Sequence, residues 1–456
     1  MKKILFILAA GLVIAACGNN YNTAESTGKL SSTDDAAFLD TLQRRSFLYF
    51  LHEANPENGL VKDRSTAASP ASIAAVGFAL PVWAVGAERG WIPREEAARR
   101  TLNAARFFMN SEQSKDALAT GYKGMYYHFL DMNNGKRFWS SELSTIDTGL
   151  LLAGLRFAAQ YFNKDNDIEN EIRALADSLT YRVDWNFMTL SEREEHGPAM
   201  SMSWKPERGF NKTGWVGYNE ALILYVIAAG SSYTDYEKAY DKWLSSYHWG
   251  GSYKGLEHVL FPPLFGHQYS HIFIDFRNLA DKYLQEKGID YFENSRRAVL
   301  TQRQYAIENP NKWEGYDSLT WGLTACDGPG SKYNKNGRTF MDYSARGVAG
   351  DLIWDDGTIA PTAAAASIPF APEVVMPALK NFMAKYGNKG LWDKYGFVDA
   401  FNPTADWYDK DYIGIDQGPI VLMIENYRTG MIWEYCMKDP VIQEGLKRLG
   451  FQPLIK

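Results

Sequence analysis

From about residue 35 onward, apolar residues recur every three to four positions, which is the spacing of amphipathic α-helices. The strict alternation of apolar and polar residues that is typical of half-buried strands is scarce. This pattern predicts about a dozen helices, joined by loops rich in glycine and aromatic residues. The clearest predicted helices cover residues 35–53, 71–88, 93–109, 144–162, 167–184, 219–229, 268–286, 290–308, 372–386 and 418–436.

Short turns and long loops alternate between the predicted helices. This alternation fits an all-α (α/α)6 toroid, a barrel in which an outer ring of helices wraps an inner ring. A two-domain all-α arrangement is the alternative. Small β-hairpins are expected within loops, because Asn133-Asn134-Gly135 separates two apolar runs between Tyr126 and Trp139. No low-complexity linker divides residues 35–456, so we predict that they form a single domain.

The first 34 residues differ from the rest of the chain. Lys2 and Lys3 precede an apolar run that ends in Ile14-Ala15-Ala16-Cys17, which resembles a bacterial lipoprotein signal with Cys17 as the lipidated residue. The run is shorter than the ~20 apolar residues of a membrane-spanning helix. Residues 18–34 are rich in Ser, Thr and Asn and are predicted to be a flexible tether. We therefore expect a protein of the bacterial cell envelope, periplasmic or on the outer-membrane surface, held at the membrane by this lipid alone.

Composition narrows the range of partners. The 456 residues are 46% hydrophobic and carry a formal net charge of -6, with Lys and Arg scattered among acids. A chain of this length and hydrophobic content can bury a large core. Lys and Arg form no basic stripe, which argues against nucleic acid as a partner. The 14 Trp and 27 Tyr offer flat apolar faces for stacking sugar rings, although most such rings in a globular protein belong to the core. We expect a monomer that binds an oligo- or polysaccharide.

Histidine and cysteine give little support for a metal or cofactor. Cys326 and Cys436 allow one disulfide but lack metal-ligand spacing. His267 and His271 would share one face of a helix, yet Gln268 stands where a zinc-protease motif requires glutamate. Phosphate-binding, nucleophile-elbow and dinucleotide motifs are missing from the sequence. We expect no metal and no cofactor, and for His267 a hydrogen-bonding role toward a sugar or within the structure.

The first candidate acids lie at the start of the predicted helix at 144–162, one just before it and one in its first turn. Glu142 and Asp147 lie five residues apart there. Ser144-x-x-Asp147 also matches a capping box, in which the side chains satisfy backbone amides at the helix start. Both roles are compatible, because the helix dipole favours the ionised carboxylate that a base or a sugar-hydroxyl acceptor needs.

Glu220 is the second candidate, in the run Thr213-Gly-Trp215-Val-Gly-Tyr218-Asn-Glu220 before an apolar helix. Apolar surroundings raise the pKa of a carboxyl and keep it protonated, as a general acid requires. Glu220 is therefore our proton-donor candidate, with Trp215 and Tyr218 as candidate sugar-binding residues. The alternative is a surface glutamate in the first turn of a helix capped by Asn219.

Asp416 is the third candidate and has the same placement before a helix as Asp147. Its alternative role is another helix cap, with Glu425 and Arg428 forming an i,i+3 ion pair. Asp327, in Cys326-Asp-Gly-Pro-Gly, is a candidate substrate-binding residue, and its alternative role is in a turn, which this sequence favours.

Six ordered blocks extend these motifs over nearly the whole chain after the tether: Ala54-Asn-Pro-Glu-Asn-Gly-Leu, Ser72-Ile-Ala-Ala-Val-Gly-Phe-Ala, Glu142-Leu-Ser-Thr-Ile-Asp-Thr, Gly217-Tyr-Asn-Glu-Ala, Asp356-Gly-Thr-Ile-Ala-Pro and Gly414-Ile-Asp-Gln-Gly-Pro-Ile-Val-Leu-Met-Ile-Glu-Asn-Tyr-Arg-Thr-Gly. Together they resemble the bacterial glucoamylase-like family, which includes endo-β-1,2-glucanases and a domain of cyclic β-1,2-glucan synthases. The resemblance implies a six-hairpin toroid, a groove lined by acids, and hydrolysis or transfer on glucans, most plausibly β-1,2-linked.

The resemblance also implies roles for individual residues. Glu220 would be the acid, Glu142 and Asp147 would lie in the groove, and Asp416 would be a base or a binding residue. The sequence departs from the family at Gly315-Tyr316-Asp317-Ser318, where relatives carry Glu followed by Asn, so Asp317 is a candidate binding residue with a shorter side chain.

The expected reaction is inverting hydrolysis, with Glu220 protonating the leaving oxygen while Asp147 or Asp416 activates water. A glycan-binding lipoprotein without catalysis is one alternative, and a transglycosylase or lyase is another.

Overall fold

A computed structural model of the chain describes residues 33–335 and 337–455. It is 46% helical with few strands, as predicted. The helices are α1 (Thr33–His52), α2 (Ile73–Glu88), α3 (Arg94–Asn110), α4 (Thr145–Tyr161), α5 (Asp167–Tyr181), α6 (Leu222–Gly230), α7 (Tyr236–Ser245), α8 (Tyr269–Phe273), α9 (Lys282–Lys287), α10 (Tyr291–Glu308), α11 (Pro361–Ala365), α12 (Pro372–Tyr386), α13 (Gly414–Thr429), α14 (Met431–Cys436) and α15 (Pro440–Arg448), with 3-10 turns at Trp185–Met188, Leu264–His267 and Gly387–Lys389.

The strands are two or three residues long and lie in the loops. They are β1 (Ala71–Ser72), β2 (Gly121–Tyr122), β3 (Met125–Tyr127), β4 (Phe129–Leu130), β5 (Leu143–Ser144), β6 (Ser203–Lys205), β7 (Gly209–Phe210), β8 (Trp249–Gly250), β9 (His258–Val259), β10 (Leu279–Ala280), β11 (Asn334–Lys335), β12 (Arg338–Thr339), β13 (Gly347–Ala349), β14 (Leu352–Trp354), β15 (Trp392–Asp393), β16 (Gly396–Phe397), β17 (Phe401–Asn402), β18 (Trp407–Tyr408) and β19 (Gln452–Pro453).

Most of these strands pair in twos. The exception is an antiparallel five-stranded sheet in the order β2-β3-β5-β6-β7.

The helices fall into an inner and an outer layer. Every residue of α6 is buried, and α2 is buried from Ile73 to Gly86, whereas α3 and α5 keep exposed polar faces. Helix α2 packs against α4 and α13, and α4 packs against α6, while α3 and α5 cover them from outside. The inner backbones approach closely: a Cβ added at Gly154 would lie 2.0 Å from the carbonyl oxygen of Gly77. Apolar residues on all sides of a helix are what an inner layer requires.

The buried apolar residues form one continuous cluster that extends from Leu39 to Phe451. Cys326 and Cys436 are both buried and free, so the disulfide that the sequence allowed is not formed. None of the helices in the described ranges is both long and apolar enough to span a bilayer. The predicted signal with Cys17, and the predicted tether up to residue 32, lie outside the described residues.

Three predicted elements differ from the structure. The helix predicted at 268–286 is two short helices, α8 and α9, because the chain between them turns at Asn278 (φ 56°) and forms β10. The helix predicted at 418–436 begins earlier, at Gly414, and is interrupted at Gly430 (φ 72°). The hairpin predicted around Asn133-Asn134-Gly135 is reduced to a turn closed by a single bridge between Leu130 and Arg137.

Candidate active site

The five-stranded sheet and α4 bring together a group that we call the His128 cluster: His128, Glu142, Asp147 and Lys205. His128 lies between β3 and β4, Glu142 precedes β5, and Lys205 ends β6. Asp147 is the third residue of α4, and the Ser144 hydroxyl accepts a hydrogen bond from its backbone N–H, so this half of the predicted capping box is formed. The Ser144 hydroxyl also donates to Asp147 Oδ2.

The His128 cluster is electrostatically balanced. His128 Nδ1 donates to Glu142 Oε1 at 2.8 Å, and its Nε2 lies 3.8 Å from Asp147 Oδ1. Burial lowers the pKa of His128, but the charges of Asp147 and Glu142 outweigh it and raise the pKa to about 9. Burial likewise opposes ionisation of Glu142, yet His128 and Lys205 lower its pKa to about 2. At neutral pH this cluster therefore holds a charged imidazolium between two acids.

Glu220 lies between this cluster and the start of α6. Burial, aided by the charge of Asp147, raises the pKa of Glu220 to about 7. Its Oε2 is buried and has no hydrogen-bond partner among the described residues. The helix begins at Leu222, later than predicted, because the Asn219 side chain accepts from the N–H of Ala221 and the Ser270 hydroxyl donates to the Glu220 carbonyl. A partly protonated carboxyl with a free buried oxygen can deliver a proton.

A second group of acids, the Asp399 cluster, consists of Asp327, Asp399, Asp409 and Asp416. Asp399 precedes β17, Asp409 follows β18, and Asp416 is the third residue of α13. Asp327 is positioned by its backbone N–H, which donates to Asp399 Oδ2 at 2.7 Å.

The guanidinium of Arg64 lies beside the Asp399 cluster, within 4 Å of three carboxylates. Arg64 Nη1 donates to Asp327 Oδ2 at 2.8 Å and lies 3.6 Å from Asp411 Oδ2, while its Nε lies 3.5 Å from Asp63 Oδ2.

The Asp399 cluster has more negative charge than Arg64 can balance. Burial and the neighbouring charge of Asp416 raise the pKa of Asp399 well above its usual range. Burial and the charges of Asp399 and Asp327 raise the pKa of Asp409 to about 8. Burial raises the pKa of Asp416 to about 7, although a hydrogen bond from Asp399 works in the opposite direction. Asp399 is thus the proton holder of the Asp399–Asp416 pair.

The two clusters lie close enough to act on the same side chains electrostatically. Asp63 is influenced by the charges of Arg64, His128 and Asp147, so it lies between the clusters. The phenol of Tyr269 is influenced by Asp416, Glu220 and Asp147, and its hydroxyl donates to the Ile415 carbonyl at 2.9 Å. The structure therefore brings together Glu142, Asp147, Glu220, Asp327 and Asp416, which lie in four separate segments of the sequence.

Three other predicted binding residues belong to the core. Trp215 is 5% exposed, and its indole N–H donates to the Thr145 hydroxyl at the start of α4, so it secures that helix instead of offering a face for stacking. Tyr218 is buried against His267 with ring centroids 4.9 Å apart. The Nε2 of His267 is 3.1 Å from the Phe261 carbonyl, and the ring is fully buried. His271 points elsewhere, toward the Ser295 hydroxyl.

Asp317 lies away from the acids. Its side chain is half exposed, accepts from the N–H of Leu319, and lies 3.9 Å from Lys385 on α12. The side chain caps a surface turn apart from the two clusters, and a binding role for Asp317 stays a prediction. The predicted pair of Glu425 and Arg428 is wrong: Glu425 binds Arg89 and Arg428 binds Asp40.

Sequence analysis missed several residues of the site. His128, Arg64, Asp399 and Asp409 stand in loops without a recognisable motif, and only the fold brings them to the acids that were predicted. For Trp139 the sequence does offer a signal, because this aromatic residue stands three positions before the candidate acid Glu142. It is 67% exposed and has φ 53°, an uncommon backbone conformation for a residue other than glycine.

Comparison with known proteins identifies the family. A family model described as "Putative glucoamylase" matches residues 212–440. The exo β-1,2-glucooligosaccharide sophorohydrolase (non-reducing end) of Parabacteroides distasonis is 31% identical over 448 residues, covering 91% of this chain. The chain belongs to the glucoamylase-like family. It spans 58% of the length of the Parabacteroides relative.

Solved structures of this family agree with the fold. A "putative glucoamylase" from Bacteroides uniformis is 36% identical with a TM-score of 0.80, over 92% of this chain and 98% of the other. The endo-β-1,2-glucanase of Chitinophaga pinensis, in complex with sophorotriose and glucose, is 29% identical with a TM-score of 0.79, over 92% and 99% of the two chains. Both relatives are thus covered almost completely.

Proposed function

We propose that this member of the glucoamylase-like family is a glycoside hydrolase that cuts β-1,2-linked glucans with a pair of carboxylic acids. Glu220 carries this proposal: burial, aided by the charge of the nearby Asp147, raises the pKa of its carboxyl to about 7. The relatives named as β-1,2-glucan hydrolases supply the linkage. The site is built from the chain's own acids, and the proposed reaction needs no cofactor.

Glu220 is the proposed general acid, which protonates the departing glycosidic oxygen. Asp416 is the preferred general base, because Asp399 holds the proton of their pair and its hydrogen bond favours the ionised form of Asp416. Asp147 suits the role less well, since Ser144 binds one of its oxygens and the charged His128 faces the other. Water activated by Asp416 on the opposite face of the sugar would invert the anomeric carbon.

The test begins with the purified chain from residue 18 onward and a panel of α- and β-linked glucans, with products separated by chromatography. We expect products from β-1,2-glucan. The Glu220→Gln variant should lose activity by about 10²- to 10⁴-fold, whereas Glu237→Gln, an exposed change of the same type on α7, should retain it. Wild-type turnover by Glu220→Gln would remove the acid assignment.

The same panel separates the alternative functions. Binding of one glycan without any product would indicate a glycan-binding protein. Products with a new glycosidic bond would indicate a transglycosylase, and unsaturated products would indicate a lyase.

Three finer features are part of the proposal. The two helical layers support a six-hairpin (α/α)6 toroid, formed as a single domain by residues 35–456.

The lipoprotein-like segment ending at Cys17 supports a lipid anchor, and with it a place in the bacterial cell envelope, on the periplasmic side or the outer-membrane surface. A monomer is proposed as the active form. Mass spectrometry of the mature N-terminus tests the anchor, and sedimentation tests the oligomeric state.

A further inference from the structure

Three carboxylates of the Asp399 cluster have the spacing of cation ligands. Asp327, Asp399 and Asp409 each offer one oxygen, and these oxygens all lie within 4.8 Å of one another. Calcium binds oxygen at about 2.3–2.6 Å, so two ligands of one ion are separated by at most about 5 Å. The three oxygens can therefore surround a single ion without a rearrangement of the backbone.

Within the described part of the chain, two of these carboxylates each have one oxygen that accepts no hydrogen bond from an N–H or hydroxyl group. Asp399 is 2% exposed; its Oδ2 accepts from the N–H of Asp327, while Oδ1 receives no hydrogen bond from any N–H or hydroxyl group of the described residues. The side chain that its carboxyl pairs with is another acid, Asp416, which leaves the negative charge of the pair unbalanced. Asp409 repeats the arrangement: Oδ1 accepts from the N–H groups of Lys410 and Asp411, and Oδ2 is buried without a donor. Buried oxygens without a donor are costly unless something unseen satisfies them.

Charge leads to the same expectation. Among residues 33–335 and 337–455, neither Asp399 nor Asp409 forms an ion pair, and Arg64 contacts Asp327 and lies within 4 Å of Asp411 and Asp63. Buried carboxylates so close together must be relieved either by a proton or by a cation.

We propose that Asp327, Asp399 and Asp409 form a binding site for one divalent cation, with calcium preferred. The site offers oxygen ligands alone, which suits a hard cation, and carboxylates on separate loops suit the flexible coordination of calcium better than the strict octahedron of magnesium. The cation would bind the carboxyl of Asp399, which is itself paired with Asp416. It would hold together the loops at 327, 399 and 409. A bound cation would take the place of the proton that Asp399 holds in the cation-free chain. Its binding is measured without any glucan, so the test does not depend on the proposed hydrolysis.

The experiment uses the chain from residue 18 onward, treated with EDTA and dialysed, without any glucan. Isothermal titration with CaCl₂ should give a stoichiometry of one, and thermal unfolding should show a saturable rise in Tm. A parallel titration with MgCl₂ should show weaker binding. Terbium, which replaces calcium and is excited by nearby aromatic rings, should give luminescence that calcium displaces.

Asp409→Asn is the decisive variant, because Asp409 contributes a ligand oxygen and, unlike Asp399, is not hydrogen-bonded to Asp416. It should lower calcium affinity by at least tenfold and reduce the rise in Tm, while Asp167→Asn, an exposed change on α5, should leave both unchanged. Circular dichroism checks that Asp409→Asn is folded. Absence of calcium binding by the native chain would overturn the proposal and leave a proton shared by Asp399 and Asp416 to relieve the charge. Equal binding by Asp409→Asn would overturn it as well.

Discussion

The His128 cluster and the Asp399 cluster are built on the same local motif, and burial raises the pKa of the helix-start carboxyl in both, but the charges around these carboxyls differ. Asp147 and Asp416 are each the third residue of an inner helix, α4 and α13. In the first cluster His128 and Lys205 lower the pKa of Glu142 to about 2. In the second, burial and neighbouring acids raise the pKa of Asp409 to about 8 and burial raises that of Asp416 to about 7.

This difference shows that a carboxylate at a helix start has no fixed role. The helix dipole favours its ionised form by only about 0.3–1 kcal/mol, so burial and neighbouring charges decide its protonation. A balanced cluster is suited to orienting a substrate through fixed hydrogen bonds. An unbalanced cluster has carboxylate oxygens without a donor, which can accept a proton from water or bind a cation.

The largest expected effect comes from removing the base. Asp416→Asn should lower kcat on β-1,2-glucan by about 10³-fold, because the amide cannot accept the proton of water. Asp147→Asn should lower kcat less and raise KM, because it removes a partner of His128 rather than the base. Steady-state kinetics on both variants measure the contrast. A larger loss of kcat in Asp147→Asn than in Asp416→Asn would transfer the base to the His128 cluster.

The next effect is the coupling of Glu220 to the His128 cluster through pH. Glu220 must be protonated to act as acid, so kcat/KM should decline by about tenfold per unit as the pH rises above its pKa of about 7. Because the charge of Asp147 contributes to that raised pKa, Asp147→Asn should shift the alkaline limb to lower pH. An unshifted limb would mean that another group titrates there; Glu237→Gln serves as the control.

Sequence reasoning succeeded where a single segment contains the information. The helical periodicity, the cap formed by Ser144 and Asp147, and the apolar setting of Glu220 are local features, and the structure has all three. It failed where distant segments meet. The apolar run at 268–286 could not reveal that β10 pairs with β19 at the far end of the chain, which breaks the helix.

The same limit explains why two of the predicted binding residues lie in the core. Trp215 and Tyr218 flank an acid in the sequence, but side-chain direction depends on packing, and both rings turn into the core. Asp399 joins the site through a contact with Asp327, 72 residues away, and His128 through the pairing of β3 with β5, which brings it to Glu142.

A smaller effect concerns stability. The pKa of His128 rises from 6.5 to about 9 in the folded chain, so its stabilising contribution is complete below pH 6.5 and is lost as the pH rises through 9. His128→Gln should therefore lower the free energy of unfolding by about 1.5–3 kcal/mol at pH 6, through loss of its charged hydrogen bonds. Urea unfolding at pH 6 and pH 9.5 measures the difference, which should narrow at the higher pH. A constant difference would contradict a charged His128.

The smallest expected effect concerns Trp139, beside the His128 cluster. Its ring packs edge-on against Phe129 and Phe138, with centroids 5.5 Å and 5.0 Å away, which leaves it 67% exposed. An exposed aromatic face near Glu142 suits stacking of a sugar away from the cleaved bond. Trp139→Ala should raise KM for long β-1,2-glucans by about three- to tenfold, equivalent to about 0.6–1.4 kcal/mol, with little change in kcat. Trp139→Phe should restore most of the affinity, and Tyr181→Ala, which removes an exposed ring on α5, should have no effect. A loss of kcat in Trp139→Ala without a change in KM would contradict a stacking role. It would mean that the Trp139 ring acts on the neighbouring acids and that the His128 cluster takes part in the chemical step.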